Sequence, residues 1–158
     1  MRDAVFATLE KLDIPYRLQE HEAVFTVAES SVKLEEKLPV KTLLVTDERK
    51  QHVWMVAMRG LNRLDMKLLA RELGVKKLQF VQPERVFELV GVQPGSVSIF
   101  GLLHPGSKNI QVVLDESLMT EPELGFHPND NTATVFLSPS DVLKIIQASG
   151  QAYRILAV

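Results

Sequence analysis

The fold is decided by the stretch VKTLLVTDERKQHVWMVAM, residues 40–58. Its two ends, residues 40–46 and 52–58, are apolar and rich in β-branched side chains, and the residues between them, 47–51, are all polar. Two such runs joined by a short polar segment are typical of a β-hairpin. Because the runs contain few charged residues, both strands are predicted to be largely buried.

Four segments outside this hairpin, the first at residues 3–12, have apolar residues at helical spacing. Asp and Ser side chains cap helix N-termini, proline suits the first turn, and glycine ends a helix readily. These signals bound the predicted helices: Ile14-Pro15 follows the first, Asp65 and Gly74 flank the second, Pro83 and Gly91 bound the third, and Ser138 and Gly150 flank the fourth. Four helices are therefore predicted.

Further short strands are predicted from apolar runs at residues 16–19, 78–81, 110–114, 132–137 and 153–158. Strands and helices alternate without the regular spacing of a doubly wound fold. The pattern therefore predicts a single α/β or α+β domain built on a mixed sheet.

Composition indicates an ordinary globular protein. The chain has 158 residues, of which 46% are hydrophobic and 24% charged, the balance of one domain with one core. Cysteine is absent, which excludes a cysteine nucleophile, a thiolate metal site and a redox motif. The four histidines are far apart and no pair has the helical spacing of metal ligands, so neither a metal nor another cofactor is expected.

The N-terminus and the hydropathy of the chain predict a cytoplasmic protein. Residues 1–6, Met-Arg-Asp-Ala-Val-Phe, carry an acid early and lack the uninterrupted apolar stretch of a signal peptide. No segment approaches the roughly 18 apolar residues of a membrane span, so no contact with a membrane is expected.

Charge is distributed unevenly along the chain, whose formal net charge is -2. Residues 33–77 contain 11 basic and six acidic side chains, a local excess of +5 that leaves -7 for the rest. A polyanion would therefore be met by one face only. Solvated helix and strand faces explain the same charges without any ligand.

Four segments, taken together, resemble a known family. They are residues 21–27, His-Glu-Ala-Val-Phe-Thr-Val; residues 40–45, in which Lys41 begins a buried strand; residues 91–101, Gly-Val-Gln-Pro-Gly-Ser-Val-Ser-Ile-Phe-Gly; and residues 125–135, Gly-Phe-His-Pro-Asn-Asp-Asn-Thr-Ala-Thr-Val. We call residues 91–101 the glycine loop and residues 125–135 the histidine segment. In order and spacing the four are similar to the YbaK/ProX family of aminoacyl-tRNA deacylases, over nearly the whole chain.

The resemblance implies a compact mixed β-sheet, partly curled into a barrel and flanked by helices, as one domain over residues 1–158. Its pocket would lie between the strand of Lys41, the glycine loop and the histidine segment. Members of the family hydrolyse the ester that joins a wrong amino acid to the terminal ribose of a tRNA. Some are domains inserted in prolyl-tRNA synthetases and others are separate proteins. This chain has no synthetase core and is expected to act in trans.

The resemblance also implies the roles of single residues. The ammonium of Lys41 would bind the terminal phosphate or ribose and stabilise negative charge. Backbone N–H groups of the glycine loop would approach the ester carbonyl, and His127 would contact the substrate or exchange a proton near neutral pH. The expected catalytic residues are Lys41, Gly95, Ser96 and His127, and the expected substrate-binding residues are Thr26, Thr42, Val97, Phe100, Gly101, Gly125 and Asn131.

The nucleophile is expected to be a water or a ribose hydroxyl, because cysteine is absent and no serine lies in a Gly-x-Ser-x-Gly turn. The expected partner is the tRNA acceptor end that carries the mischarged amino acid, with prolyl-tRNA synthetase or an elongation factor as further candidates; no DNA is expected. Arg59, Arg63 and Lys67 would contact its backbone phosphates.

Two residues depart from the family pattern and bear on selectivity. The loop run that ends at Ser98 is usually followed by a proline, which would stiffen the turn, whereas Ile99 follows here. The glycine loop and the histidine segment are closest to the branch that clears alanyl-tRNA with the proline anticodon, but Thr42 is closer to the YbaK branch, which acts on cysteinyl-tRNA of the same kind. Alanine is therefore expected first and cysteine second, with overlap, since one methylene is worth only ~1–3 kcal/mol.

Two other classes of function stay open at this point. A non-catalytic tRNA-binding or regulatory homologue would keep the fold without turnover, which Ile99 favours and Lys41 opposes. A small-molecule-binding domain would use the same pocket without any nucleic acid. Survival of the ester in a panel of mischarged tRNAs separates the three.

Overall fold

The computed structural model describes residues 2–20, 38–129 and 132–158. The helices of these ranges are α1 (Arg2–Lys11), α2 (Met66–Leu73), α3 (Pro83–Val90) and α4 (Pro139–Ser149). The strands of the same ranges are β1 (Arg17–Glu20), β2 (Leu38–Asp47), β3 (Val53–Arg59), β4 (Leu78–Phe80), β5 (Gln111–Asp115), β6 (Leu124–Phe126), β7 (Ala133–Leu137) and β8 (Tyr153–Leu156). Short 3₁₀ helices join several of them, including Pro94–Ser96 and Ile99–Leu103.

The hairpin predicted from residues 40–58 is confirmed, since β2 and β3 pair antiparallel along their length. Asp47 orders the turn: its Oδ1 accepts hydrogen bonds from the backbone N–H groups of Gln51 at 2.8 Å and His52 at 3.1 Å. All of β3 except its last residue is buried. The hairpin therefore lies at the centre of the sheet, and neither of its strands is an edge strand.

The strands follow the order β1-β7-β6-β2-β3-β5-β8, with β4 paired to the end of β2. β2 with β6, β3 with β5, and β5 with β8 are parallel, and the other pairs are antiparallel. The predicted mixed sheet is confirmed. Among the described strands β1 and β8 are the two margins, so the sheet is open and does not close into a barrel.

Alternation of side chains along the strands divides the interior into two apolar clusters. The larger cluster, the large core, contains Leu44 of β2 together with Phe100 of the glycine loop and Phe126 of β6. The smaller cluster, the small core, contains Val45 of β2 and packs against α2 through Leu69. Successive residues of β2 therefore point to a large-core face and a small-core face in turn.

The helix boundaries predicted from capping residues are confirmed. Asp65 accepts the N–H of Leu68 at 3.0 Å at the start of α2. Gly74, Gly91 and Gly150 end α2, α3 and α4 in the left-handed conformation, with φ of 74°, 74° and 85°. In the described part of the chain, no helix is long and apolar enough to cross a membrane.

The cap of α4 provides a first stability test. Ser138 Oγ accepts the backbone N–H of Asp141 at 3.2 Å, so Ser138→Ala leaves that donor without its partner and is expected to cost about 1 kcal/mol of stability. Urea unfolding followed by circular dichroism measures the change. Ser138→Asp keeps a capping oxygen and should unfold near the wild-type midpoint; equal losses in both variants would show that the cap contributes nothing.

One strand, β6, was not predicted. It has only three residues, one of them Gly125, so it shows neither alternation nor an enrichment in β-branched side chains. Its extended conformation comes from pairing with β2 on one side and β7 on the other. Such a strand depends on tertiary contacts that local sequence does not reveal.

Candidate active site

Among the described strands, none pairs with one edge of β2 beside Lys41. β3 occupies the first edge of β2 along residues 40–46. On the second edge β6 pairs with residues 38–39 and β4 with residues 45–47. Between these two partners, no strand of the described chain pairs with residues 40–43, which we call the β2 gap. Crevices where neighbouring strands diverge are where open sheets bind ligands, so the β2 gap is the candidate site.

The parallel pairing of β2 with β6 leads to Lys41 on one chain segment and to His127 on the other. Pro39 of β2 lies opposite Gly125 of β6, and two further residues along each chain lead to Lys41 and His127. If side chains keep alternating beyond the last paired residues, Lys41 and His127 are expected on the same face of the sheet. A cation and an imidazole therefore flank the end of β6.

The amine of Lys41 is partly shielded from water. Lys41 is half-buried, and burial lowers the pKa of its amine below the usual 10.5 because the ammonium loses part of its hydration. None of the ion pairs found among the described residues includes Lys41. A cation of this kind gains more from an anionic ligand than a fully hydrated one does. Lys41 is suited to bind a phosphate or a developing oxyanion.

Thr42 presents a buried hydroxyl on the opposite face of the same strand. It lies opposite Ala57, a member of the large core, and is 6% exposed. Its Oγ1 is buried and has no hydrogen-bond partner among the described residues. An unpaired buried hydroxyl is costly, and at the β2 gap a ligand can supply the missing hydrogen bond.

The ring of His127 is oriented by the backbone of β7. Its Nδ1 lies 2.9 Å from the carbonyl oxygen of Ala133. A carbonyl only accepts, so Nδ1 carries the proton in this bond and Nε2 carries the lone pair of the neutral ring. Gly125 lets β6 approach β7, because a Cβ there would lie 2.9 Å from Thr134 Cγ2 and 3.1 Å from Phe136 Cε1.

The glycine loop has a packed base and an accessible turn. Val97 and Phe100 are buried in the large core, and Gly101 packs so closely on α3 that a Cβ would lie 2.9 Å from Cβ of Val90. The 3₁₀ turn Pro94–Ser96 contains no buried residue. A ligand can therefore reach the backbone of this turn while its flanks stay fixed.

Within that turn, the N–H group of Gly95 is the one that can donate a hydrogen bond to a ligand, judged from the backbone bonds of the described residues. The N–H of Ser96 donates to Gln93 O at 2.9 Å, and the N–H of Val97 donates to Pro94 O at 3.4 Å. No such backbone bond is formed by the Gly95 N–H within the described ranges. Of the two loop residues expected to be catalytic, Gly95 thus offers its N–H and Ser96 its hydroxyl.

Ile99 stands where the resemblance to the family leads us to expect a proline. It opens the 3₁₀ helix Ile99–Leu103, and Ser98 caps that helix by accepting the N–H of Phe100 at 3.1 Å. The first position of a helix favours proline, which accounts for the family pattern. Ile99 is 1% exposed, so in this protein the side chain joins the large core and the Ser98 hydrogen bond orders the turn.

Two contacts join the glycine loop to the histidine segment. The rings of Phe100 and Phe126 meet edge to face, with centroids 6.4 Å apart and planes at 79°. Asn129 Nδ2 donates to Phe100 O at 3.4 Å, and Asn129 adopts a φ of 60°, which asparagine tolerates better than most residues. The loop therefore meets the end of β6 that leads to His127. Sequence reasoning gave Asn129 no role, although its position after Pro128 marks a turn.

The predicted site residues that the structure describes fall into two groups relative to β2. Lys41 and His127 are on one face, whereas Thr42 and the buried side chains of Val97 and Phe100 are on the other. The side chains of Val97 and Phe100 are buried and cannot contact a substrate. We therefore expect the backbone of the loop to make that contact. Of the remaining predicted residues, Thr26 and Asn131 lie outside the described residues.

The three predicted tRNA contacts differ in availability. Arg59 is bound within the fold, with Nη2 2.8 Å from Glu121 Oε1 and Nε 3.2 Å from Ser117 Oγ. Arg63 and Lys67 are exposed at the start of α2, the helix that covers the small-core face.

In the ranges that the structure describes, no group of three or more acidic or histidine side chains is arranged to hold a metal ion.

Comparisons with known proteins agree with this architecture. The family model of the aminoacyl-tRNA editing domain matches residues 21–145. The prolyl-tRNA editing protein ProX of Acetoanaerobium sticklandii is 35% identical over 97% of this chain and 94% of that protein. The prolyl-tRNA synthetase associated domain-containing protein 1 of Danio rerio is 28% identical over 94% of this chain and 83% of that protein. A solved structure of a proposed trans-editing enzyme for prolyl-tRNA synthetase is 25% identical, with a TM-score of 0.76 over 99% of this chain and 96% of that chain.

The open mixed sheet and these comparisons place the protein in a class, the hydrolytic editing domains. The chain belongs to the aminoacyl-tRNA editing domain family, because the family model covers most of it and a ProX protein is 35% identical over nearly its full length. The resemblance drawn from the four segments is confirmed, and the activity of this class is aminoacyl-tRNA deacylation.

Proposed function

We propose that this protein hydrolyses, in trans, the ester of a proline-specific tRNA that carries the wrong amino acid, alanine first and cysteine second. The observation that carries the proposal is the pairing of Pro39 with Gly125, because Lys41 and His127 follow these residues at the same distance along each chain segment. Similarity to a prolyl-tRNA editing protein supports the choice of tRNA. The likeness of the glycine loop and the histidine segment to the alanine branch supports alanine as the first substrate.

Lys41 and Gly95 supply the electrostatic part of the mechanism. When a nucleophile attacks the ester, the carbonyl oxygen becomes negative. The N–H of Gly95 and the ammonium of Lys41 stabilise that charge better than they stabilise the neutral ester, which lowers the barrier. Lys41 also binds the terminal phosphate or ribose, which holds the ester beside the loop.

His127 supplies the proton transfer. The oxygen of a water attacks the carbonyl carbon, and the bond between that carbon and the ester oxygen of the ribose breaks, which releases the amino acid as a carboxylic acid. If a ribose hydroxyl attacks first, the aminoacyl group moves to that hydroxyl as a new ester, and water then hydrolyses this ester. Nε2 of His127, which carries the lone pair of the neutral ring, takes the proton of the nucleophile and returns it to the leaving ribose oxygen. The Nδ1 bond to Ala133 O keeps the ring in this tautomer.

The β2 gap explains how one ligand meets groups on both faces of the sheet. Lys41 and Thr42 are neighbours on β2 and point to opposite faces, so a continuous sheet would separate them. At the gap no described strand stands between the two faces. A ligand seated there contacts the ammonium of Lys41 on one side and the Thr42 hydroxyl on the other.

A panel of mischarged tRNAs tests the proposal. The ester of Ala-tRNA(Pro) is expected to disappear fastest, that of Cys-tRNA(Pro) more slowly, and that of correctly charged Pro-tRNA(Pro) at the uncatalysed rate. If every ester survives although the protein retards tRNA on a gel, the non-catalytic alternative replaces the proposal. If the protein neither retards tRNA nor clears any ester, a small-molecule-binding domain becomes the better account.

His127→Ala is expected to lower kcat for Ala-tRNA(Pro) by about a hundredfold, the low end of what a general acid or base contributes. Single-turnover deacylation of purified Ala-tRNA(Pro) measures this. His52→Ala is the matched control, because His52 is an exposed histidine beside the β2–β3 turn. Equal deacylation rates for both variants would show that His127 does not transfer the proton. The charge of Lys41 would then be the main source of the rate enhancement.

A further inference from the structure

His104 holds the two ends of the glycine loop together. The loop begins at Gly91, which ends α3 with a φ of 74°. A Cβ built on Gly91 would lie 2.6 Å from Cδ2 of His104, so the ring packs directly on the first residue of the loop. His104 lies three residues after the last residue of the loop. The ring therefore closes the base of the loop against the end of α3.

The ring also forms a hydrogen bond with the end of α3. His104 Nδ1 lies 3.1 Å from Leu89 O and 3.1 Å from the backbone N of Gly106. A carbonyl accepts and an N–H donates, so one ring nitrogen cannot serve both in a single protonation state. The tautomer decides which of the two bonds exists.

The surroundings favour donation to Leu89. Leu89 O lies in the last turn of α3, where carbonyls lack helical partners, and this contact is partly buried. The N–H of Gly106 is exposed and can bond to water instead. A proton on Nδ1 also suits the negative end of the helix dipole. His104 therefore donates to Leu89 O.

The chain after His104 is anchored as well. A Cβ on Gly106 would overlap the carbonyl oxygen of Glu88, so this turn lies directly on α3. Ser107 Oγ lies 2.7 Å from His104 O and 3.0 Å from Leu102 O and can donate its proton to either, and Gln151 Nε2 donates to Ser107 O at 3.2 Å. These contacts hold the chain that follows His104 in place. The bond from His104 to Leu89 O holds His104 itself against the end of α3.

We propose that His104 is a positioning residue, whose Nδ1–H bond to Leu89 O fixes the base of the glycine loop and so aims the N–H of Gly95 at the ester carbonyl. This rests on the proposed function, in which the loop orients the ester. His104 does not touch the substrate and acts only through the loop.

Two variants of equal shape test the role of the donor. In His104→Asn the amide nitrogen takes the place of Nδ1 and donates to Leu89 O, whereas in His104→Asp a carboxylate oxygen faces that carbonyl and cannot donate. We expect His104→Asp to lower kcat for Ala-tRNA(Pro) between about tenfold and a hundredfold with little change in KM, because a shift of the loop misplaces the donor. His104→Asn should stay near the wild-type rate.

Hydrogen exchange of the loop provides a readout that needs no substrate. Amides of residues 94–98 should exchange faster in His104→Asp than in the wild type or His104→Asn. If Asp and Asn variants behave alike in exchange and in rate, the ring acts only as a local cap for Gly106, and the proposal is overturned. His104→Ala, which also lacks the donor, replaces the Asp variant if that one melts below the assay temperature. Should the wild type clear no ester, exchange still decides the proposal on the loop.

Discussion

Lys41→Ala is expected to reduce kcat/KM for Ala-tRNA(Pro) by about a hundredfold or more, the loss that follows removal of one group that stabilises an oxyanion. The ammonium is partly shielded from water, its pKa is lowered by burial, and Lys41 belongs to the part of β2 with no described strand neighbour on one edge. Both binding of the terminal phosphate and stabilisation of the transition state depend on this charge. Deacylation of Ala-tRNA(Pro) over a range of enzyme concentrations measures the loss.

Two further variants separate the charge of Lys41 from its bulk and from the general basicity of the surface. Lys41→Arg keeps the positive charge but changes its shape, and it should recover part of the rate. Lys67→Ala removes an exposed lysine of α2 and should change kcat/KM less than about threefold, because a surface phosphate contact is one of several. A folded Lys41→Ala variant with the wild-type rate would exclude Lys41 from the reaction.

Phe100→Ala is expected to destabilise the protein by about 3–5 kcal/mol, the usual cost of deleting a buried phenyl ring. Phe100 is 0% exposed, lies within the large core and packs edge to face on Phe126. The cavity would lie under the glycine loop, so the loop should lose its orientation as well as its support. Urea unfolding measures the stability, and deacylation well below the melting temperature measures the effect on editing.

Phe87→Ala is the matched control for this experiment. Phe87 is 53% exposed on α3, so the same change of residue removes little buried surface there. Its effect on the free energy of unfolding is expected to stay within about 0.5 kcal/mol. Similar losses in the two variants would show that the loop is not supported by the large core.

Much of the fold follows from signals that act over a few residues. The β2–β3 hairpin is predicted from two apolar runs and a polar turn, and the ends of α2 and α4 from Asp65, Gly74, Ser138 and Gly150. These signals work because capping and turn formation depend on neighbours in sequence. Accordingly, the structure places these elements within a few residues of the predicted positions.

The arrangement of the site follows from contacts between distant segments. β6 is a strand because β2 and β7 flank it, and its pairing with β2 ends two residues before Lys41 and His127. The bond from Asn129 to Phe100 joins residues 29 apart in sequence. Local patterns contain no information on such pairings. The resemblance named Lys41 and His127, whereas the pairing of β2 with β6, which leads to both residues, comes from the structure.

Lys41 and the glycine loop are associated with different faces of β2, so one ligand must contact both faces. Lys41 points to the small-core face, whereas the buried side chains of the glycine loop belong to the large core. The account requires that ligand, lysine and loop meet at the β2 gap, where no described strand fills the edge. Lys41 has a long, flexible side chain, which lets its amine reach around the edge of β2.

A crystal structure with a non-hydrolysable amide analogue of alanyl-adenosine tests this most directly. We predict that the analogue occupies the β2 gap, with Nζ of Lys41 and the backbone N of Gly95 both within about 3.2 Å of its polar atoms. An analogue bound to the loop while the lysine amine stays on the far side of the sheet, or one bound elsewhere on the molecule, would contradict the account.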